Sequence, residues 1–413
     1  MKKHTTIILF CTVAIFATAC NSYEREKTKF INEVIEFATA QTELMLQAAG
    51  DPAALRYPRT INADGTLRTT SMWDWTPGFF PGSLWYLYEL TGKDQWREAA
   101  TAWTESLEPL RTFTRHHDLG FMMYCSFGNA ERLASKPEYR DILIESANSL
   151  STRFSERVRS IRSWNNYNGW SEERDWQFPV IIDNMMNLEL LFYASRVTGD
   201  PRLFDLSVTH SYTTLKNHFR EDFSTYHVVD YDSVTGEVRH KVTSQGLSDN
   251  STWSRGQAWG IYGFTMTYRE TKNPDFLNAA VRAADMYLSN LPEDLIPYWD
   301  FNVGQEGFVP RPRSHASQFQ EKIRDASAAA IVTSALFELS ELANEPRYYD
   351  YAVRMLRTLA SPAYRAELGT NGNFLLKHCV GSIPHRSEID VPLVYADYYF
   401  LEALTRYKNS RRR

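Results

Sequence analysis

Four stretches of the chain repeat one pattern, an apolar helical run, a short turn and a second, amphipathic run. They span residues 84–107, 190–215, 262–291 and 334–359, and a fifth, weaker copy turns near Lys136 and Pro137 before entering residues 139–150. The turn residues fit this reading. Gly92 and Gly199 suit the left-handed position that ends a helix, and Pro201, Pro274 and Pro346 suit the first turn of the next, where no N–H partner is lost. A helical hairpin cannot bury its apolar face alone, so the copies must stack. Five hairpins supply ten helices, residues 30–49 add one at the front and residues 396–407 one at the back. Twelve helices in six pairs, with the first and last meeting, make an all-α (α/α)6 toroid; an open superhelix of helical pairs is the alternative.

The hairpin turns are short, but the segments between hairpins are long: 51–76, 151–181, 220–255 and 292–324. In a closed ring all the short turns fall at one end and all the long loops at the other. Function is expected at the long-loop end, near the starts of the helices that line the inside.

Four acidic residues precede or open these inner helices: Asp118, Asp183, Asp325 and Asp390. Helix capping, worth about 1 kcal/mol, accounts for any one of them. Asp183 stands apart because Val180, Ile181 and Ile182 precede it while Met185, Met186 and Leu188 follow. Apolar surroundings raise a carboxyl pKa, as a proton donor near neutral pH requires, and Asp118 approaching across the ring would raise it further. The segment STWSRGQAWGIYGF places Trp253, Arg255 and Trp259 at the start of another inner helix. Arginine can grip a carboxylate with two parallel bonds and tryptophan offers a face to a sugar ring; pairing of Arg255 with a loop aspartate is the structural alternative. Trp75 and Trp164 occupy comparable loop positions, and His227 suits either orienting a hydroxyl or water or a structural role. Together these residues describe an anionic-sugar pocket. Aromatic content, at 14%, serves core packing and ring stacking alike and does not choose between them. His116-His117 lacks the four-residue spacing of a helical zinc pair, and Cys-x-x-Cys, a phosphate-cradling glycine loop and Gly-x-Ser-x-Gly are all missing, so no metal or cofactor is expected.

The N-terminus reads as a leader. Lys2 and Lys3 precede an apolar run over 7–19 that is too short to span a bilayer, and Ala17-Thr18-Ala19 stands before Cys20. Two processing routes fit: cleavage with lipid attached to the Cys20 sulfur, giving a periplasmic or outer-membrane lipoprotein, or plain cleavage after Ala19, giving a soluble exported form. Either leaves 20–413 as one catalytic domain, with membrane contact only through the lipid. Losing residues 1–19 removes two of 45 Lys and Arg and none of 50 Asp and Glu, for a net charge of about −7 with histidine neutral. That is no nucleic-acid footprint, and an anionic substrate must be drawn by a local basic pocket. A disulfide between Cys125 and Cys379 is compatible with their spacing and not required by it.

The segments WTPGFFPGSLWYLYELTG, HHDLGF, PVIIDNMMNLELLFYAS, STWSRGQAWGIYGF, RDASAAAI and EIDVPLVYADYYFLEAL resemble, in content and order, those of glycoside hydrolase family 88, the unsaturated glucuronyl hydrolases. The resemblance covers roughly the whole mature chain and implies an (α/α)6 barrel, in agreement with the repeat count. It implies Asp183 as general acid and base, and Asp118 as a second essential carboxylate near the sugar hydroxyls. It also implies His227, Gln245 and Arg255 at the uronate, with Trp75, Trp164 and Trp259 as aromatic walls. Lys377 and Ser382 are candidates for a subsite beyond the uronate. The implied activity releases unsaturated (4,5-dehydro) uronic acid from lyase-generated oligosaccharides, glycosaminoglycan-derived, by hydrating the C4=C5 enol ether. Three rivals compete with it: an unsaturated rhamnogalacturonyl hydrolase acting on pectin fragments, a glycan-binding lipoprotein without turnover, and a toroid hydrolase or epimerase that accepts saturated sugars.

Overall fold

Helices that are apolar on every side sink to the inside of this chain, and helices with one apolar stripe wrap around them. The computed structural model describes residues 3–165, 174–319 and 321–410, with side chains from residue 22 on. The expected leader lies outside the described side chains, as does Cys20. After α1 (Lys3–Ala49) come five hairpins. They are α2 (Phe79–Thr91) with α3 (Asp94–Glu105), and α4 (Leu119–Met123), continued by α5 (Asn129–Ala134), with α6 (Pro137–Ser151). The other three are α7 (Leu188–Thr198) with α8 (Pro201–His218), α9 (Ser254–Thr271) with α10 (Pro274–Ser289), and α11 (Ala326–Leu342) with α12 (Pro346–Leu359). A final helix, α13 (Val394–Asn409), ends the series. A π-helical turn, Tyr124–Gly128, joins α4 to α5 into one inner helix.

Burial separates the layers. In α9 every residue from Ser254 to Thr267 is buried, whereas α12 buries only Tyr348, Tyr349, Ala352, Met355, Leu356 and Leu359, a stripe at helical spacing. The inner helices α2, α4–α5, α7, α9, α11 and α13 each pack on the next, and α13 returns to α2. The ring is therefore closed, and the open superhelix is excluded. α1 lies outside this seam, where Phe30 meets Tyr407 edge-on and the Lys27 ammonium donates to the Ser410 carbonyl.

The short turns behave as their residues require. Gly92 and Gly199 take φ of 68° and 76°, and Lys272 does the same work at 56°. Pro137, Pro201, Pro274 and Pro346 all open the outer helices. At this end of the ring Arg269 pairs with Glu189, Glu270 and Glu338, and Arg406 with Glu338 at 2.9 Å. These ion pairs line a second cavity of about 670 Å³ and satisfy one another.

The long connections add small sheets to the all-α toroid. They fold into antiparallel ribbons: β1 (Arg56–Ile61) with β2 (Leu67–Ser71), β3 (Phe154–Ser155) with β4 (Ser160–Ile161), a three-stranded β5 (Phe178–Ile181), β6 (Val228–Tyr231), β7 (Val238–Val242), and β8 (Cys379–Ser382) with β9 (Ser387–Val391). Asp390 consequently sits in β9 rather than at a helix start, at φ 54°, facing His378 at 2.8 Å. Cys125 and Cys379 are both buried free thiols, so they form no disulfide.

Gly199 ends α7, whose opposite end carries Asp183. A Cβ there would meet nothing within 4 Å, so a side chain costs only backbone strain. Gly199→Ala is expected to lower stability by about 1 kcal/mol in urea unfolding while leaving activity at the far end of the ring unchanged.

Candidate active site

Asp183 sits where a strand becomes a helix. β5 pairs with β6 so that Ile181 lies opposite Val228, and the Ile182 N–H donates to the His227 carbonyl at 3.1 Å. This register sets Asp183 beside His227. The chain then tightens into a 3-10 turn, Ile182–Asn187, at the head of α7. Asn184 anchors that turn to the Ile161 carbonyl at 2.7 Å, and the Asn187 side-chain oxygen accepts the Phe121 N–H at 2.9 Å. Gly120 makes the last contact achievable, because a Cβ on it would lie 2.4 Å from the Asn187 Cα. That close approach brings Asp118, at the start of α4, to the same place.

The two carboxyls are treated oppositely. Burial pushes the Asp183 pKa up to about 7, with Asp118 adding to the rise and His117 and Arg255 opposing it. Among the described residues Asp183 Oδ2 has no hydrogen-bond partner; it faces His227 Nε2, also without one, across 3.8 Å. His227 Nδ1 accepts the N–H groups of Ser244 and Gln245, each at 3.1 Å, so the proton of the neutral ring resides on Nε2. Burial, with Arg255 nearby, keeps that ring neutral by holding its pKa well below the ordinary value. An oxygen lying off the line between Oδ2 and Nε2–H can bond both.

Asp118 is gripped by two imidazoles, His116 Nδ1 at 3.1 Å and His117 Nε2 at 3.2 Å. Burial opposes its charge, but His117 and His116 prevail and hold the carboxylate well below its usual range. The grip continues inward. His117 Nδ1 meets the Ser163 hydroxyl at 3.3 Å, and that oxygen accepts the Ile181 N–H at 2.9 Å. A bonded chain thus runs from Asp118 to the strand residue two positions before Asp183.

Arg255 is almost fully buried and donates to Asp325 at 3.3 Å, to the Gly381 carbonyl at 2.6 Å and to the Val380 carbonyl. Its guanidinium lies over Trp253, 4.4 Å from the ring centre. Gln245 donates to the same Gly381 carbonyl at 3.2 Å. Pairing with an aspartate, the structural alternative, is what the fold adopts, yet Arg255 also borders the cavity.

That cavity, about 580 Å³, brings together Asp183, Asp118, His227, Gln245, Arg255, Trp75, Trp164 and Ser382. Trp75 rests on Phe79, Phe121 and Tyr395, and Trp164 stands edge-on to Trp176. Ser382 Oγ is 2.6 Å from His385 Nδ1. Two expected residues lie elsewhere. Trp259 is wholly buried against Phe121 and Tyr399, one turn deeper than Arg255, and belongs to the core rather than the wall. Lys377 donates to the Pro362 carbonyl at 2.9 Å and does not border the cavity. Unanticipated members are Arg59, Trp73, Asp74, His116, His117, Ser163, His385 and Ser387. Arg59 bridges Asp74 and Glu388. Only the paired histidines beside Asp118 carried a local signal, as two rings able to hold one carboxylate.

The chain matches the family model described as Glycosyl Hydrolase Family 88 over residues 53–409. It is 43% identical to an unsaturated glucuronyl hydrolase of Formosa agariphila over 99% of both chains. With an unsaturated chondroitin disaccharide hydrolase of Streptococcus pyogenes serotype M1 it shares 32% identity over 91% of both. Its structure is similar to that of an unsaturated glucuronyl hydrolase specific for heparin, with a TM-score of 0.83, 43% identity, and coverage of 92% of this chain and 97% of that one.

The folded chain holds the Asp183 proton more tightly than the unfolded chain does, with a pKa of about 7 against an ordinary 3.8. The stability this confers is full below about pH 4 and is lost as pH rises through about 7. Asp183→Asn carries no such proton, so its melting temperature should exceed the parent's at pH 8 by more than at pH 4. Arg255→Ala leaves Asp325 buried without its cation. Its expected cost is about 3 kcal/mol in chemical unfolding, apart from any change in substrate affinity.

Proposed function

Since the chain belongs to Glycosyl Hydrolase Family 88, we propose that it releases unsaturated uronic acid from glycosaminoglycan oligosaccharides left by polysaccharide lyases. The observation that carries this reading is a carboxyl at the cavity floor, with a pKa of about 7 and one oxygen unpartnered among the described residues. Such a group can give a proton near neutral pH and, once ionised, take one back.

The C4=C5 bond of a lyase product is an enol ether beside a carboxylate. Asp183 protonates C4, and positive charge develops at C5 and the ring oxygen. Water then adds to C5 while the Asp183 carboxylate removes its proton. The hemiketal formed at C5 opens, and C1 releases the aglycone. Asp118, kept ionised by its two histidines, accepts hydrogen bonds from sugar hydroxyls and fixes the ring. His227 Nε2–H donates to the oxygen that lies between it and Asp183. Trp75 and Trp164 supply apolar walls, while Arg255 and Arg59, each already paired with carboxylates of the protein, border the cavity as hydrogen-bond donors. No covalent glycosyl-enzyme is needed, so the spacing of the two carboxylates does not assign a stereochemical outcome.

The names of the relatives favour glucuronyl substrates over pectin fragments. The 43% identity with the heparin-specific enzyme, against 32% with the streptococcal chondroitin enzyme, supports the heparin series as the first to assay. The apolar run 7–19 ahead of Cys20 supports export, with lipid attachment at Cys20.

The test follows the ultraviolet absorbance of unsaturated disaccharides from heparin, chondroitin, hyaluronan and pectin lyases. Loss of absorbance is expected with a glycosaminoglycan series; loss with none would favour a glycan-binding lipoprotein or another toroid enzyme. Asp183→Asn should fold and lose roughly 10²–10⁴-fold in kcat, and near-parental turnover would remove Asp183 from its role. Because the protonated acid is required, kcat/KM of the parent should fall as pH rises through about 7.

A further inference from the structure

We infer that Trp73 is the platform on which the aglycone sugar lies during this hydrolysis, a subsite resting on the activity proposed above. The substrate class it selects is a pyranose aglycone that presents a C–H face.

Exposure grades along one cavity. At its floor Asp183 is 8% exposed and Arg255 1%, while Trp73, which borders the same cavity, is 49% exposed. A half-exposed indole at the border of a cavity has an apolar face free for a sugar ring to cover. The backbone around it explains the placement. Asp74 turns away to Arg59 and accepts the Thr76 N–H at 3.0 Å, which pins the turn. The two tryptophans flanking Asp74 then part: Trp75 descends onto Phe79, Phe121 and Tyr395, and Trp73 stays at the rim. Trp73 is also rigid. Its ring stacks on Phe113 at 6.0 Å and 28°, and buried Phe113 is braced edge-on by His116 at 4.6 Å. One face is thereby fixed on the protein.

The reaction sets the direction of the substrate. C4 must reach Asp183 at the floor. C1 stands across the pyranose ring from C4 and so points to the mouth. The sugar bonded at C1 therefore emerges at the rim, where a rigid indole can pack against its C–H face.

The test compares an unsaturated disaccharide with the methyl glycoside of the same unsaturated uronate, which has no aglycone sugar. For Trp73→Ala, kcat/KM on the disaccharide should fall roughly tenfold, mostly through KM. On the methyl glycoside it should fall less than twofold, which also reports that the variant is folded. Trp73→Tyr should recover most of the disaccharide rate. Equal losses on both substrates, or none on either, would overturn the platform while leaving the hydrolase reading intact. An unaltered disaccharide rate is also what docking of another macromolecule at Trp73 would give. Failure of the parent enzyme on both substrates would overturn the hydrolase reading and the platform together.

Discussion

Arg255 and Asp325 stand at the heads of α9 and α11, both almost entirely out of solvent. Asp325 caps α11 by accepting the Ser327 N–H at 3.0 Å and also takes the Val380 N–H at 3.3 Å. Arg255 holds the two carbonyls of the same β8 segment. Two inner helices and one ribbon thus meet on a single ion pair, and neither charge can leave without stranding the other in a poor solvent for ions. Arg255 also acts at a distance, opposing the rise of the Asp183 pKa and helping to keep His227 neutral. Ring closure delivers the helix heads to one place, and this pair fixes them there.

On that frame two aspartates of identical chemistry have their pKa values moved in opposite directions. Asp183 emerges from a strand of buried Val180 and Ile181 and finds no partner for Oδ2 among the described residues, and burial lets it hold its proton up to about pH 7. Asp118 is just as dependent on its surroundings but has an imidazole on each oxygen, and it stays ionised. The separation of the two pKa values comes from what each carboxyl touches. The His117–Ser163–Ile181 chain ties the two together mechanically, so a shift of β5 moves both.

Much of this was legible in the sequence. Each hairpin sustains a helical period on both sides of a Gly or Pro turn, and the ring follows because such hairpins must bury a shared face. Asp183 was legible because a carboxylate among Val, Ile and Met is out of place unless used. The ribbons were not: β3 and β4 have two residues each, and β1 carries Pro58, so no alternation survives to be read. Arg59 and its partner Glu388 lie 329 residues apart, and their pairing has no local signature. Trp259 misled because it lies four residues after Arg255 and so shares its helix face, while the cavity reaches only the first turn. Lys377 misled for a different reason. Leu376 pairs with Arg365 and the Lys377 N–H bonds the Tyr364 carbonyl, so the backbone there follows segment 362–365 and the ammonium ends on Pro362.

The bond from Lys27 to the Ser410 carbonyl places the middle of α1 beside the end of α13, at the short-turn end of the ring. Every inner helix points its head at the cavity and its tail at this seam. Joining residue 410 to residue 27 through a brief linker, with the part of α1 before residue 27 omitted, and reopening the chain between Gly199 and Asp200 would therefore change the order of the hairpins without touching a cavity residue. A cut among the tails falls away from every residue that borders the cavity. A circular permutant of this kind keeps the ring as a geometric object while discarding its original linear order.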